Sequence, residues 1–171
     1  MKLRIAVLSV LALSLAASVV MAQARGTAEV TIKGKKISID YGRPSLGGRD
    51  LVSLAPVGTV WRLGNNMSTS ITTEADLVVG GTTLKAGKYS LWTKKTGPDT
   101  WTLNFHPKTG VWGAPPLTEG FVAETPLKTA KVGESAEQLV ISLTDNKGKA
   151  VITIHWGTAE LIGAFDVKAA G

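Results

Sequence analysis

Short segments in which apolar and polar residues alternate recur along this chain, each closed by a cluster of Gly, Pro, Asn or Asp. Alternation puts every second side chain on one face of an extended strand, whereas a helix needs apolar residues three and four apart over at least ten positions. No long amphipathic helix is legible. The clearest units are AEVTIKGKKISIDY (Ala28 to Tyr41), DLVVGGTTLKAGKYSLWT (Asp76 to Thr93), TWTLNF (Thr100 to Phe105), QLVISLTDNKGKAVITIHW (Gln138 to Trp156) and AELIGAFDV (Ala159 to Val167). All are rich in Val, Ile, Thr and aromatic residues, which suit a pleated, half-buried surface.

Three joints read as hairpin turns. Gly80-Gly81 tolerates positive φ, Thr96-Gly97-Pro98-Asp99 supplies a proline and a glycine, and Asp145-Asn146-Lys147-Gly148 supplies Asx chemistry and a glycine. About eight to ten strands, each with one apolar face, must bury those faces against one another. The sequence therefore predicts an all-β fold, an antiparallel β-sandwich of jelly-roll type with little helix. Two stretches interrupt it. Gly42 to Gly58 is dense in Gly and Pro, and its one apolar cluster, Leu51 to Leu54, fits a single helical turn. His106 to Gly120 carries prolines that a central strand cannot hold, so it reads as a surface loop.

The first 22 residues carry Lys2 and Arg4, an apolar run from Ile5 to Val20 and the small-x-small end Val20-Met21-Ala22. That is the pattern of a cleaved signal peptide, and the apolar run is short for a membrane span of about 20 residues. One domain over 23–171 is expected to follow, periplasmic or secreted, with no membrane insertion after cleavage. The chain has no cysteine, which excludes a lipid anchor on an N-terminal cysteine, disulfides, thiol catalysis and thiolate metal sites. Nineteen basic residues stand against thirteen acidic ones, a formal charge of +6. The lysines (Lys33, Lys35, Lys36, Lys94, Lys95, Lys147, Lys149) are scattered through turns and strand edges, where they read as solubilising charge rather than a nucleic-acid footprint. No feature specifies an oligomeric state.

The first loop runs into VWRLGNNMST (Val60 to Thr69), so Arg43, Arg49, Trp61, Arg62, Asn65 and Asn66 can converge at one end of the fold. A guanidinium fork suits a carboxylate, phosphate or sulfate, and amides beside an aromatic face suit a sugar. The plainer use is that these arginines pair with Asp40, Asp50, Glu74 or Asp76 and tie loops to the sheet, which loop-rich β proteins require; for the arginines themselves the sequence favours this tie. In VWRLGNNMST, Trp61 is expected to pack inward, Gly64 to permit a bend, and Arg62 and Asn66 to fix the loop. Trp92, Trp101 and Trp156 lie in strands and read as core; Trp112, beside Pro115-Pro116, reads as an exposed platform. His106 and His155 are the only histidines, and no HExxH, nucleophile elbow or phosphate loop is present, so neither catalytic residues, metal ligands nor a cofactor are assigned.

Several blocks in order carry a resemblance: Tyr41-Gly42-Arg43-Pro44, Gly48-Arg49, Leu54-Ala55-Pro56-Val57-Gly58-Thr59-Val60-Trp61-Arg62, Gly64, Asn66, Thr69 and Ala86-Gly87-Lys88-Tyr89-Ser90-Leu91. In these the chain resembles the bacterial domain-of-unknown-function family DUF2911. The resemblance implies export and a single domain, and it implies no reaction. Where the family usually reads W-R-T-G-A-N-E-A-T, this chain has Leu63, Asn65 and Met67, so the family's glutamate is missing beside Arg62.

Three readings follow. A non-catalytic binding or accessory module for a small anionic or sugar-like ligand, or for a protein partner, requires an open, concave cluster of the arginines and asparagines. A structural or interaction protein without a small-molecule site requires buried Arg–carboxylate pairs. A hydrolase or metal-dependent enzyme requires His106 or His155 set against a carboxylate. For the chain as a whole the sequence points to the first.

Overall fold

A computed structural model of the chain describes residues 25–169, and the expected signal peptide lies outside them. The elements in order are β1 (Arg25–Ile32), β2 (Lys35–Gly42), α1 (Leu51–Leu54), β3 (Val60–Trp61), β4 (Thr69–Thr73), β5 (Leu77–Val79), β6 (Thr82–Leu84), β7 (Gly87–Lys95), β8 (Thr100–His106), β9 (Ala123–Asn146) and β10 (Lys149–Val167). The predicted class holds: the described fold is antiparallel β with one helical turn. All ten strands share one hydrogen-bonded sheet in the order β1-β2-β4-β7-β8-β9-β10-β5-β6, with β3 added beside β7. That sheet bends so that β1 packs across on β9, an arrangement compatible with a sandwich made by folding one sheet over itself.

Turn chemistry explains the joints. Lys33 and Gly34, at φ 52° and 73°, close β1 on β2; Gly80 and Gly81, at 54° and 86°, close β5 on β6. Lys147 and Gly148 close β9 on β10, where the Gly148 N–H donates to Asp145 Oδ1 at 2.7 Å. The core follows the alternation: Ile37 and Ile39 on β2, Leu91 on β7, Trp101, Leu103 and Phe105 on β8, and Ile152 and Ile154 on β10 are buried together. Each aliphatic side chain of this kind contributes about 1.5–3 kcal/mol when removed from water.

The block Tyr41 to Pro44 closes the folded sheet. Tyr41 lies over Gly26, where any side chain would strike its ring, and its hydroxyl donates to Ile141 O at 3.4 Å. Arg43 Nε donates to Leu139 O at 3.4 Å, the Leu139 N–H donates to Pro44 O at 3.1 Å, and Leu46 N–H donates to Glu137 O at 2.6 Å. The chain beyond β2 is thereby stitched to β9 through backbone carbonyls.

The second loop is strapped over the outer face of the sheet. Trp92 is buried as predicted but stands outside the main core, because on β7 it faces away from Leu91. Its Nε1–H donates to Ser90 Oγ at 2.9 Å, and that hydroxyl donates to Lys108 O at 2.7 Å in the loop. The Ser68 N–H donates to Val111 O at 2.9 Å, and Met67 pairs with Trp112 in an isolated bridge.

Candidate functional site

Between the segment around Ser45 to Pro56 and the turn after β3 lies an open cleft of about 940 Å³, within the range of pockets that hold a drug-sized molecule. One wall is aromatic. Trp61 on β3 and Trp156 on β10 stack with ring centroids 5.5 Å apart and planes 11° from parallel. The Arg49 guanidinium carbon lies over the Trp156 ring at 5.7 Å. Trp156 is brought there by irregular pairing between β9 and β10, whose register shifts on either side of Gly157; such bulges re-aim neighbouring side chains. Its indole Nε1–H is buried and has no hydrogen-bond partner among the described residues.

The turn Arg62 to Thr69 is over-determined. Leu63 and Asn66 take positive φ, 56° and 58°, and Gly64 takes 156°. Leu63 is fully buried, so its side chain anchors a backbone conformation it would otherwise resist. Thr69 Oγ1 donates to Leu63 O at 2.6 Å. Gly42 and Gly64 let two backbones meet: a Cβ on Gly42 would lie 2.5 Å from Asn65 O, and one on Gly64 would lie 3.0 Å from Gly42 O. Asn65 is thus seated on the end of β2 and lines the cleft.

The arginines overturn one expectation. Among the described residues none of Arg43, Arg49 and Arg62 forms an ion pair: Asp40 pairs with Arg25, Asp76 pairs with Lys85, Glu74 accepts the Lys36 N–H, and Asp50 caps α1 by accepting the Ser53 N–H at 2.9 Å. Arg49 is held by carbonyls instead, its Nε donating to Leu46 O at 3.1 Å and Nη2 to Ser45 O at 2.9 Å. Arg62 Nη1 donates to Asn66 O at a long 3.5 Å, and the Arg62 stem crosses Gly113 so closely that a side chain there would displace it. The expected fixing of the loop by Asn66 is done by its backbone, whose carbonyl also accepts the Gly113 N–H at 3.0 Å.

Of the predicted site residues the cleft gathers Arg49, Trp61, Arg62 and Asn65. Arg43 is directed to β9, Asn66 lies outside the cleft wall, and Trp112 stands beyond it, 58% exposed as expected of a platform. Trp61 is half-buried and serves the cleft as well as the interior. Sequence reasoning missed Trp156 in this role, because alternation placed it with the core, where it is also 94% buried by its 6% exposure.

It also misread Lys95. Far from blunting an edge, Lys95 is 2% exposed. Its Nζ donates to Val52 O at 3.1 Å and Ser53 O at 3.0 Å, and it lies over the Trp101 ring at 5.7 Å. Strand alternation carried the only signal, since Lys95 shares a face with Leu91 and Thr93. The ammonium latches α1, and with it one rim of the cleft, onto β7.

His106 Nδ1 accepts the Lys108 N–H at 2.9 Å, and His155 Nε2 lies 3.2 Å from Glu134 O on another strand. Neither lines the cleft. Among the described residues no three His, Asp or Glu side chains gather into a metal-binding group.

A model of the family described as "Protein of unknown function (DUF2911)" matches residues 23–162. The chain belongs to the DUF2911 family. Searches of curated proteins and of solved structures gave no match. In this DUF2911 protein the blocks that carry the likeness have visible work: Tyr41 to Pro44 closes the sheet on β9, Gly42 and Gly64 seat Asn65, and Trp61-Arg62 forms one side of the cleft.

Proposed function

We propose that this chain is an exported binding module whose cleft takes a small ligand bearing an anionic group. The observation that carries this reading is the state of Arg49 and Arg62: both line an open cleft beside a tryptophan stack, and neither has a carboxylate partner among the described residues. A guanidinium with donors to spare is a site for a planar oxyanion, and the Trp61 face offers apolar contact to the rest of the ligand. Arg49 is oriented in advance by two carbonyls and a ring, which lowers the ordering cost of binding. Support for export is the signal-peptide pattern of residues 1–22, directly followed by the start of the family match at residue 23.

Tryptophan fluorescence tests the reading, because Trp61 and Trp156 form the cleft wall. Titration with phosphate, sulfate, benzoate and galacturonate is expected to give saturable quenching with at least one of them. Arg62→Ala should weaken that ligand about tenfold or more, the cost of one charge-assisted contact. No saturable response to any anion, or an affinity in both Arg49→Ala and Arg62→Ala equal to that of the parent, would sink the proposal.

A further inference from the structure

The cleft does not exhaust the exposed recognition chemistry at this end of the molecule. Trp112 presents a large ring to solvent from the strapped second loop, and it is fixed rather than trailing: it bridges to Met67, while Ser68 bonds to Val111 and Asn66 to Gly113 on either side. Arg62 connects the two regions. It lines the cleft, and its stem lies on Gly113, the residue next to Trp112. Two tryptophans, Trp61 and Trp112, therefore neighbour a cation, Arg62, that has no ion pair among the described residues.

We infer that the ligand is an acidic oligosaccharide, a chain of pyranose rings bearing carboxylates, that lies on Trp61 in the cleft and passes over Arg62 to Trp112. The inference rests on the cleft being a binding site and names its ligand class. A pyranose ring offers an apolar C–H face to an aromatic ring and hydroxyls at its rim, and a carboxylate on the ring meets Arg62 or Arg49 in plane. Repetition of ring and acid along the chain matches repetition of platform and cation along the protein. Without Lys2 and Arg4 the exported chain keeps seventeen basic residues against thirteen acidic ones, and that charge of +4 adds steering toward a polyanion.

Calorimetric titration of the protein with galacturonate oligomers of one, three and six units tests this, with polyglutamate of matching charge as the comparison. Affinity is expected to rise about tenfold or more from monomer to hexamer. Trp112→Ala should abolish that gain while leaving the monomer and the unfolding midpoint unchanged, and Trp112→Phe should restore much of it. Affinity independent of length, a Trp112→Ala effect equal at all lengths, or equal binding of polyglutamate overturns the inference. If phosphate or benzoate binds through Arg62 while no uronate does, the glycan assignment falls and the cleft reading stands. If no anion binds, the cleft reading falls with it.

Discussion

Replacing Lys95 with methionine keeps the side-chain stem against Trp101 and removes only the ammonium. Two hydrogen bonds from a charged donor then disappear, those to Val52 O and Ser53 O at 3.1 and 3.0 Å. At about 1.5 kcal/mol each they amount to about 3 kcal/mol, and the ring contact adds up to about 1 kcal/mol. Against this stands the relief of no longer burying a charge, which returns part of the sum. The expected net loss is about 2–3 kcal/mol, or roughly 5–10 °C in Tm for a chain of this size. Urea titration should show a lower midpoint at unchanged slope. Hydrogen exchange should quicken at Leu54 and Gly58, whose amides hold the α1 segment through Asp50 O and Lys95 O. The exposed neighbour Lys94, changed to methionine, should stay within about 0.5 kcal/mol of the parent. A Lys95→Met variant as stable as the parent would refute the latch.

Arg62→Ala, by contrast, should cost no more than about 1 kcal/mol in the same titration, because its bond to the carbonyl of the exposed Asn66 is long and it has no ion pair among the described residues; a loss of about 3 kcal/mol would show it to be a buried structural cation. Gly42→Ala should cost at least about 1–3 kcal/mol, since the added methyl meets the Asn65 backbone at 2.5 Å and 2.9 Å; thermal unfolding measures it, and an unchanged Tm would refute the close approach. Asp76 has its pKa lowered below its ordinary 3.8, chiefly by the hydrogen bond from Lys85 and then by that from the Ala86 N–H. A depressed carboxylate stabilises the fold above pH 3.8 and ceases to do so as the pH falls through its folded-state pKa. Asp76→Asn should therefore flatten the acid limb of the stability profile below that pH, and an acid limb identical to the parent's would show that Asp76 contributes nothing to it.

Much of the fold was legible because its causes are local. The alternation in Trp101, Leu103 and Phe105, the Gly80-Gly81 turn and the Asp145–Gly148 turn each act within a few residues, and each element stands where they place it. The helical turn at Leu51–Leu54 was legible for the same reason. The first half of β9 was not, because Ala123–Gln138 is largely exposed and carries little apolar contrast. The cleft was half legible. Arg49, Trp61, Arg62 and Asn65 are near neighbours along the chain, but Trp156 arrives from the far end through a pairing irregularity that no local pattern announces. Lys95 was misread because a lysine side chain follows its strand face inward only where carbonyls wait for it, and those belong to α1, some forty residues earlier. The arginines were misread because carboxylates near in sequence proved to be engaged by Arg25, Lys85 and backbone N–H groups.

The place of β10 in the sheet fixes an order of assembly. It lies between β9 and the early β5–β6 hairpin, with Asp166 and Val167 pairing with Val78 and Leu77. Residues 77–84 emerge first, yet have no wider sheet to join until the strand ending at Val167 is available. A contact spanning some ninety residues of chain closes late, after the loops within it have been brought together. The same strand carries Trp156 to the cleft. A chain cut short before Trp156 would thus lack both the strand that seats the β5–β6 hairpin and one wall of its cleft.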